Sequence, residues 1–207
     1  MDFKISESGV GPRSEDALPA SVTSAVKVVV VGGFGVGKTT LVGAVSEIRP
    51  LTTEETMTQA SAGVDDIAGI ERKSETTVAM DFGRITLNDE LVLYLFGTPG
   101  QQRFWFLWNG LFEGALGAVV LVDTRRLEES FDVMGRLEER GVPFVVAINA
   151  FPDAPCHPVS ELRAALDIPD AVPVIDCDAR NRVSSRDALL ALMRYLHTLT
   201  TTTPEQW

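Results

Sequence analysis

Cysteine is scarce in this sequence. Cys156 and Cys177 form no C-x-x-C pair, which argues against a disulfide framework or a zinc module and for buried or incidental thiols in a reducing compartment. Histidine is as rare: His157, beside Cys156, does not complete a tetrahedral metal site, and His197 falls at the end of the last helical pattern, where the helix dipole favours a cation. Basic residues number 18 against 29 acidic ones, a formal net charge of −11. The overall basic field that attracts nucleic acid or an anionic bilayer is therefore missing, and protein partners are expected instead. Apolar runs such as Val26–Val31 and Leu116–Val122 fall far short of the roughly 20 residues that span a bilayer. The N-terminal MDFKISESGVGPRSEDALPASVTS lacks the apolar centre of a secretory signal, position 2 is not glycine, and TTTPEQW offers no prenylation cysteine. A cytoplasmic location is expected, with any membrane association made through partners.

What is present fits one α/β domain: 207 residues, 45% of them hydrophobic. Residues 1–24, rich in Ser, Pro, Gly and Glu, read as a flexible leader, 25–198 as the domain and 199–207 as a tail. Val26–Val31 is a β-branched run broken only by Lys27, as expected of a strand buried on both faces. KTTLVGAVSEI from Lys38 has helical spacing and stops at Pro50. The stretch from Pro50 to Thr77 lacks apolar periodicity and is read as a long functional loop, the natural switch region. TTVAMDFGRITL and ELVLYLF are strands of a hairpin turning at Asn88 and Asp89. GALGAVVLVD, VPFVVAIN and AVPVIDC read as three more buried strands, with helices at 127–140, 159–166 and about 185–198. The sum is a six-stranded, mostly parallel sheet with one antiparallel hairpin strand and about five helices.

Between the first strand and the first helix stands GGFGVGKTT, in which Gly32, Gly37, Lys38 and Thr39 satisfy G-x-x-x-x-G-K-[ST]. Both the preceding strand and the following helix that this motif requires are there, so the fold class is a three-layer P-loop NTPase. Backbone N–H groups over Gly32, Gly33, Phe34, Gly35, Val36 and Gly37 are suited to cradle phosphates. Lys38 supplies a cation to the β and γ phosphates, Thr39 a hydroxyl to Mg²⁺, and Thr40 packs or hydrogen-bonds beside them.

The order of phosphate loop, T-x-x-x-D-F at Thr77–Phe82 and FGTPGQ at Phe96–Gln101 resembles the Ras-like superfamily over roughly residues 26–198. GGFGVGKTT, TTVAMDFG, FGTPGQQRFWF and VVLVDTRR are similar, more narrowly, to the GTP-binding subunits of actinobacterial conservons, relatives of bacterial Mgl-type polarity GTPases. The resemblance implies GTP or GDP with Mg²⁺ as ligands. It makes Thr77 the switch threonine that senses Mg²⁺ and the γ-phosphate, Gly100 the glycine whose amide meets that phosphate, and Gln101 the residue that orients the attacking water. Asn149 matches the base-recognition asparagine, and Asp178-Ala179-Arg180 the element that supports the base through the Ala179 amide. The implied partners are a roadblock-fold dimer and a membrane-bound, histidine-kinase-like sensor.

The sequence departs from that family at several points. Gly97 stands where D-x-x-G has its metal-supporting aspartate, leaving Asp81 and Asp123 as possible substitutes. Phe34 replaces a small glycine, where a ring is expected to crowd the γ-phosphate side and slow hydrolysis. Ala150 and Pro152 replace the lysine and aspartate of N-K-x-D, with Asp153 one residue late, so either a bulge brings Asp153 to guanine or the pocket tolerates adenine. Arg72 and Arg103 flank the switch segments, and either a cis catalytic or a solvated role suits them. Gln101 and Gln102 also admit a solvated-loop reading. Phe104, Trp105, Trp108, Leu111 and Phe112 recur at helical spacing, either as core or as a partner surface. The expected function is a GTP-binding switch with weak hydrolysis. The alternatives are a hydrolysis-deficient scaffold, a nucleotide-binding protein with relaxed base selectivity, and, less in keeping with PGQ, a small-molecule kinase.

Overall fold

The computed structural model describes residues 18, 21–49, 51–58, 75–100 and 108–202. A strand buried on both faces needs apolar residues at every position, and the first strand supplies them: β1 (Ser24–Val31) has Val28, Val29, Val30 and Val31 fully buried. It lies at the middle of one sheet, parallel to β4 (Leu91–Gly97) on one side and to β5 (Gly117–Val122) on the other. Beyond β5 come β6 (Phe144–Asn149) and β7 (Val174–Cys177), also parallel. Beyond β4 come β3 (Glu75–Thr86) and β2 (Leu51–Thr58), each antiparallel to its inner neighbour. The order is β2-β3-β4-β1-β5-β6-β7, and β3 alone runs against the rest.

Alternate residues of β1 feed two cores. Val28 and Val30 pack with Leu41, Val42 and Val45 of α1 (Lys38–Val45) and with Ala188, Leu189 and Leu192 of α5 (Arg182–Thr202). Val29 and Val31 pack with Trp108 and Phe112 of α2 (Trp108–Phe112), Val133, Met134 and Leu137 of α3 (Glu128–Glu139), and Leu162 of α4 (Val159–Ala165). This period-two partition between two helical layers is what makes the molecule a three-layer α/β fold. Among the described residues no helix is long and apolar enough to cross a membrane.

The six strands read from the sequence are all present, and the structure adds a seventh. β2 falls at the start of the stretch read as a loop, in register from Leu51 opposite Phe82 to Thr58 opposite Glu75. LTTEETMT carries four threonines, whose branched side chains suit a strand, but too few apolar residues to show a period. Residues 59–74, and Arg72 with them, lie outside the described residues. The hairpin turn expected at Asn88 and Asp89 closes with the Asn88 side-chain oxygen accepting from the N–H groups of Glu90 and Leu91, both at 2.9 Å. α5 begins earlier than its apolar pattern, because Asn181 Oδ1 accepts from the N–H groups of Val183 at 2.9 Å and Ser184 at 3.2 Å. In the aromatic stripe, Trp108, Leu111 and Phe112 are buried, which places these three in the core. Phe104 and Trp105 lie outside the described residues.

Candidate functional site

The phosphate loop joins β1 to α1 across the carboxyl edge of the sheet. Gly35 and Gly37 adopt φ of +73° and +107°, backbone that a side chain would strain. Gly37 is the N-cap of α1 and supplies no side-chain cap, leaving the first-turn N–H groups disposed toward an anion. Lys38 is buried, and its Nζ donates to the carbonyls of Gly33 at 2.6 Å and Gly32 at 3.0 Å. Burial pushes the Lys38 ammonium down to about pKa 8, against the opposing pull of Asp81 and Glu129, while the positive charge of Arg126 lowers it further. Val36 is buried, whereas Thr40 is exposed. Phe34 is 63% exposed.

A carboxylate of the adjacent strand stands beside Thr39. Asp81 on β3 is 5% exposed, and its Oδ2 accepts a 2.6 Å hydrogen bond from Thr39 Oγ1. Asp81 and Gly97 are register partners across the β3–β4 ladder. A Cβ at Gly97 would lie 2.9 Å from Asp81 Oδ2 and 3.0 Å from its Cβ, so the bare backbone at 97 is what makes room for the Asp81 side chain. Asp123 is committed elsewhere. Arg125 grips it through Nη2 to Oδ2 at 2.7 Å and Nε to Oδ1 at 2.9 Å, and those bonds hold the Asp123 carboxyl below the usual carboxylate range. A hydroxyl and a carboxylate side by side make a partial donor set that fits Mg²⁺, which keeps waters and shares phosphate oxygens in place of a full protein cage.

Thr77 is not brought to this pair, contrary to its expected place as a second metal ligand. β4 ends at Gly97, opposite Asp81, while β3 continues toward Glu75 paired with β2, where Thr77 sits opposite Thr56. Four residues of extended strand put it roughly 13 Å along β3 from Asp81. The ladder with β2 keeps the segment straight and carries Thr77 away from the phosphate loop.

Gly100 does reach the loop: a Cβ there would lie 2.7 Å from Lys38 Nζ and 2.8 Å from both the Gly33 carbonyl oxygen and Phe34 Cα. Only a bare backbone approaches Lys38 so closely. Gln101, Gln102 and Arg103 follow it outside the described residues. Asn149, at the end of β6, ties two loops together, its Nδ2 donating to the Val36 carbonyl at 2.8 Å and its Oδ1 accepting from the Ala179 N–H at 2.9 Å. The Ala179 amide, expected to support the base, is thus engaged by Asn149. Asp153 is exposed, and its charge acts on Arg125, whose guanidinium stacks 4.0 Å over the Phe151 ring. The structure places Asp153 on that side of the loop and does not link it to Asn149. Two residues not singled out from the sequence border the phosphate loop, Arg126 and Glu129, just after the VVLVD strand.

A protein-family model described as a conserved hypothetical ATP binding protein matches residues 30–198. An uncharacterized protein of Methanocaldococcus jannaschii is 34% identical over 126 residues, 60% of this chain and 69% of that protein. A Ras-related protein of Arabidopsis thaliana, RABA3, is 32% identical over 124 residues, 59% of this chain and 44% of that protein, so the chain spans under half of its length.

Proposed function

Because the chain belongs to the family of conserved hypothetical ATP binding proteins, within the P-loop GTPase-like superfamily, we propose that this nucleotide-binding protein is a nucleoside-triphosphate switch, with GTP its ligand and Mg²⁺ its metal. The observation that carries the reading is the Thr39–Asp81 hydrogen bond beside the buried Lys38. Lys38 exchanges the carbonyls of Gly32 and Gly33 for β and γ phosphate oxygens. Thr39 and Asp81 would hold the metal, Thr39 through its hydroxyl and Asp81 through its carboxylate. A bound Mg²⁺ neutralises charge on the phosphates. Gly100, packed on Lys38, yields to the γ-phosphate and presents its amide to it. The β2–β3 ribbon beyond β4 is the second moving element, because only unpairing it lets Thr77 approach. The resemblance to conservon and Mgl-type proteins supports a roadblock-fold dimer, in a complex with a membrane sensor, as the reader of this change.

A second reading, ATP as the ligand, is favoured by Ala150 and Pro152 in the base loop, by the position of Asp153, and by the family's own description. Single-turnover phosphate release from GTP and from ATP distinguishes these. Intrinsic release from GTP at about 10⁻⁴ to 10⁻² s⁻¹ is expected, the range of unassisted switch proteins. Faster release from ATP would move the assignment to the second reading, and no release from either would leave a hydrolysis-deficient scaffold.

The Lys38 pKa of about 8 makes binding pH-dependent. Phosphates select the charged ammonium, so free protein that has lost this proton must take it up before it binds. Affinity should be flat below pH 8 and fall about tenfold per pH unit above it. In the nucleotide-free protein the sign reverses: the folded pKa lies below the unfolded one, so stability rises as pH climbs from 8 toward 10.5. Titrations and thermal melts between pH 7 and 9.5 check both.

A further inference from the structure

Arg126 sits between β5 and α3, and its contacts run to the phosphate loop. Its Nη2 donates to the Phe34 carbonyl at 2.9 Å, a bond spanning 92 residues of sequence. Its Nη1 donates to Glu129 Oε1 at 2.9 Å, and its Nη2 also lies 3.5 Å from Asp123 Oδ2. Glu129 in turn packs against Gly33, where any added Cβ would meet its Oε2. One guanidinium is therefore fixed by two carboxylates and aimed at one peptide group of the loop. A planar trans peptide points its C=O and N–H in opposite directions, and the described residues contain no cis bond. Holding the Phe34 oxygen on Arg126 turns the Gly35 N–H the other way, away from the guanidinium. Gly35, at φ +73°, has little intrinsic preference for that orientation.

Resting on the nucleotide reading above, we propose that Arg126 is a positioning residue of the phosphate loop, which aims the Gly35 N–H at the bound phosphates by gripping the Phe34 carbonyl. It acts through the peptide and touches no phosphate itself. Asp123 and Glu129 keep the guanidinium in place, and their negative charges stay neutralised beside a polyanion.

The test compares wild type, Arg126→Ala and Arg126→Lys by titration with GTP, GDP, ATP and ADP in Mg²⁺ and by the ¹⁵N–¹H signal of Gly35. Wild type should bind and shift the Gly35 amide downfield. Arg126→Ala should bind roughly tenfold more weakly to di- and triphosphate alike, as loss of one well-aimed bond to a charged acceptor implies. Its Gly35 shift should be lost while the Lys38 amide still responds. Arg126→Lys, which keeps the charge but not the fork that joins Glu129 to the Phe34 carbonyl, should fall between wild type and Arg126→Ala. A loss confined to triphosphates would assign Arg126 to direct phosphate contact and overturn the positioning role. So would an unchanged Gly35 shift, or a fall in Tm large enough to account for the affinity loss. If wild type binds none of the four nucleotides, the functional reading fails and this inference fails with it. If wild type binds and the variants match it, only the inference fails.

Discussion

Lys38→Ala is expected to weaken triphosphate binding by at least about 30-fold, because removing one partner of a buried charge pair costs about 2–5 kcal/mol. The side chain is buried and its ammonium is held at the phosphate-loop carbonyls of Gly32 and Gly33, where no other described cation touches both. The nucleotide-free variant should melt within a few degrees of wild type. Its lost hydrogen bonds are offset by relief of the desolvation that already depresses the Lys38 pKa. Titration calorimetry and a thermal melt read the two quantities separately. Unchanged triphosphate affinity would remove Lys38 from the site.

Asp81→Ala should abolish the benefit of Mg²⁺ while sparing metal-free binding. Residues that orient a metal's ligands typically contribute 10- to 100-fold to metal affinity, and Asp81 accepts from Thr39 at 2.6 Å. The ratio of triphosphate affinity with Mg²⁺ to that in a chelator should therefore fall by roughly that factor. Gly97→Asp alone adds a Cβ within 3.0 Å of Asp81 and a second carboxylate beside it. Overpacking of about 1–3 kcal/mol should lower Tm by roughly 3–10 °C. The double variant, Asp81→Gly with Gly97→Asp, puts the carboxylate back on β4 and should recover most of the Mg²⁺ ratio and of the melting temperature. Failure of the double variant to recover either would mean that the register pairing of 81 with 97 is not an exchange of one role between two strands.

The phosphate loop was legible in the sequence because its parts are contiguous: a strand, a run of glycines and a lysine at fixed spacing need no tertiary information. The buried strands were legible for the same reason, as runs such as Val28–Val31 and Val119–Val122 carry their burial in their composition. The choice between Asp81 and Asp123 was not, since it depends on which carboxylate a neighbour consumes. Arg125, two residues away, takes Asp123, whereas strand register alone sets Asp81 against Gly97 and Thr39. β2 escaped notice because strand pairing with β3, not apolar periodicity, specifies LTTEETMT. The same pairing holds the Thr77 segment extended opposite Thr56. The contact of Arg126 was not legible in sequence because its partner, Phe34, lies 92 residues away.

The central claim is that residues 32–39 and Asp81 together hold a triphosphate with Mg²⁺, and calorimetric titration of the wild-type protein with GTP and ATP, each with Mg²⁺ and with a chelator, tests it most directly. One-to-one binding at micromolar dissociation constants or tighter, weakened at least tenfold by the chelator, is the predicted result. No heat of binding with either nucleotide up to millimolar concentration, or affinities indifferent to Mg²⁺, would contradict it.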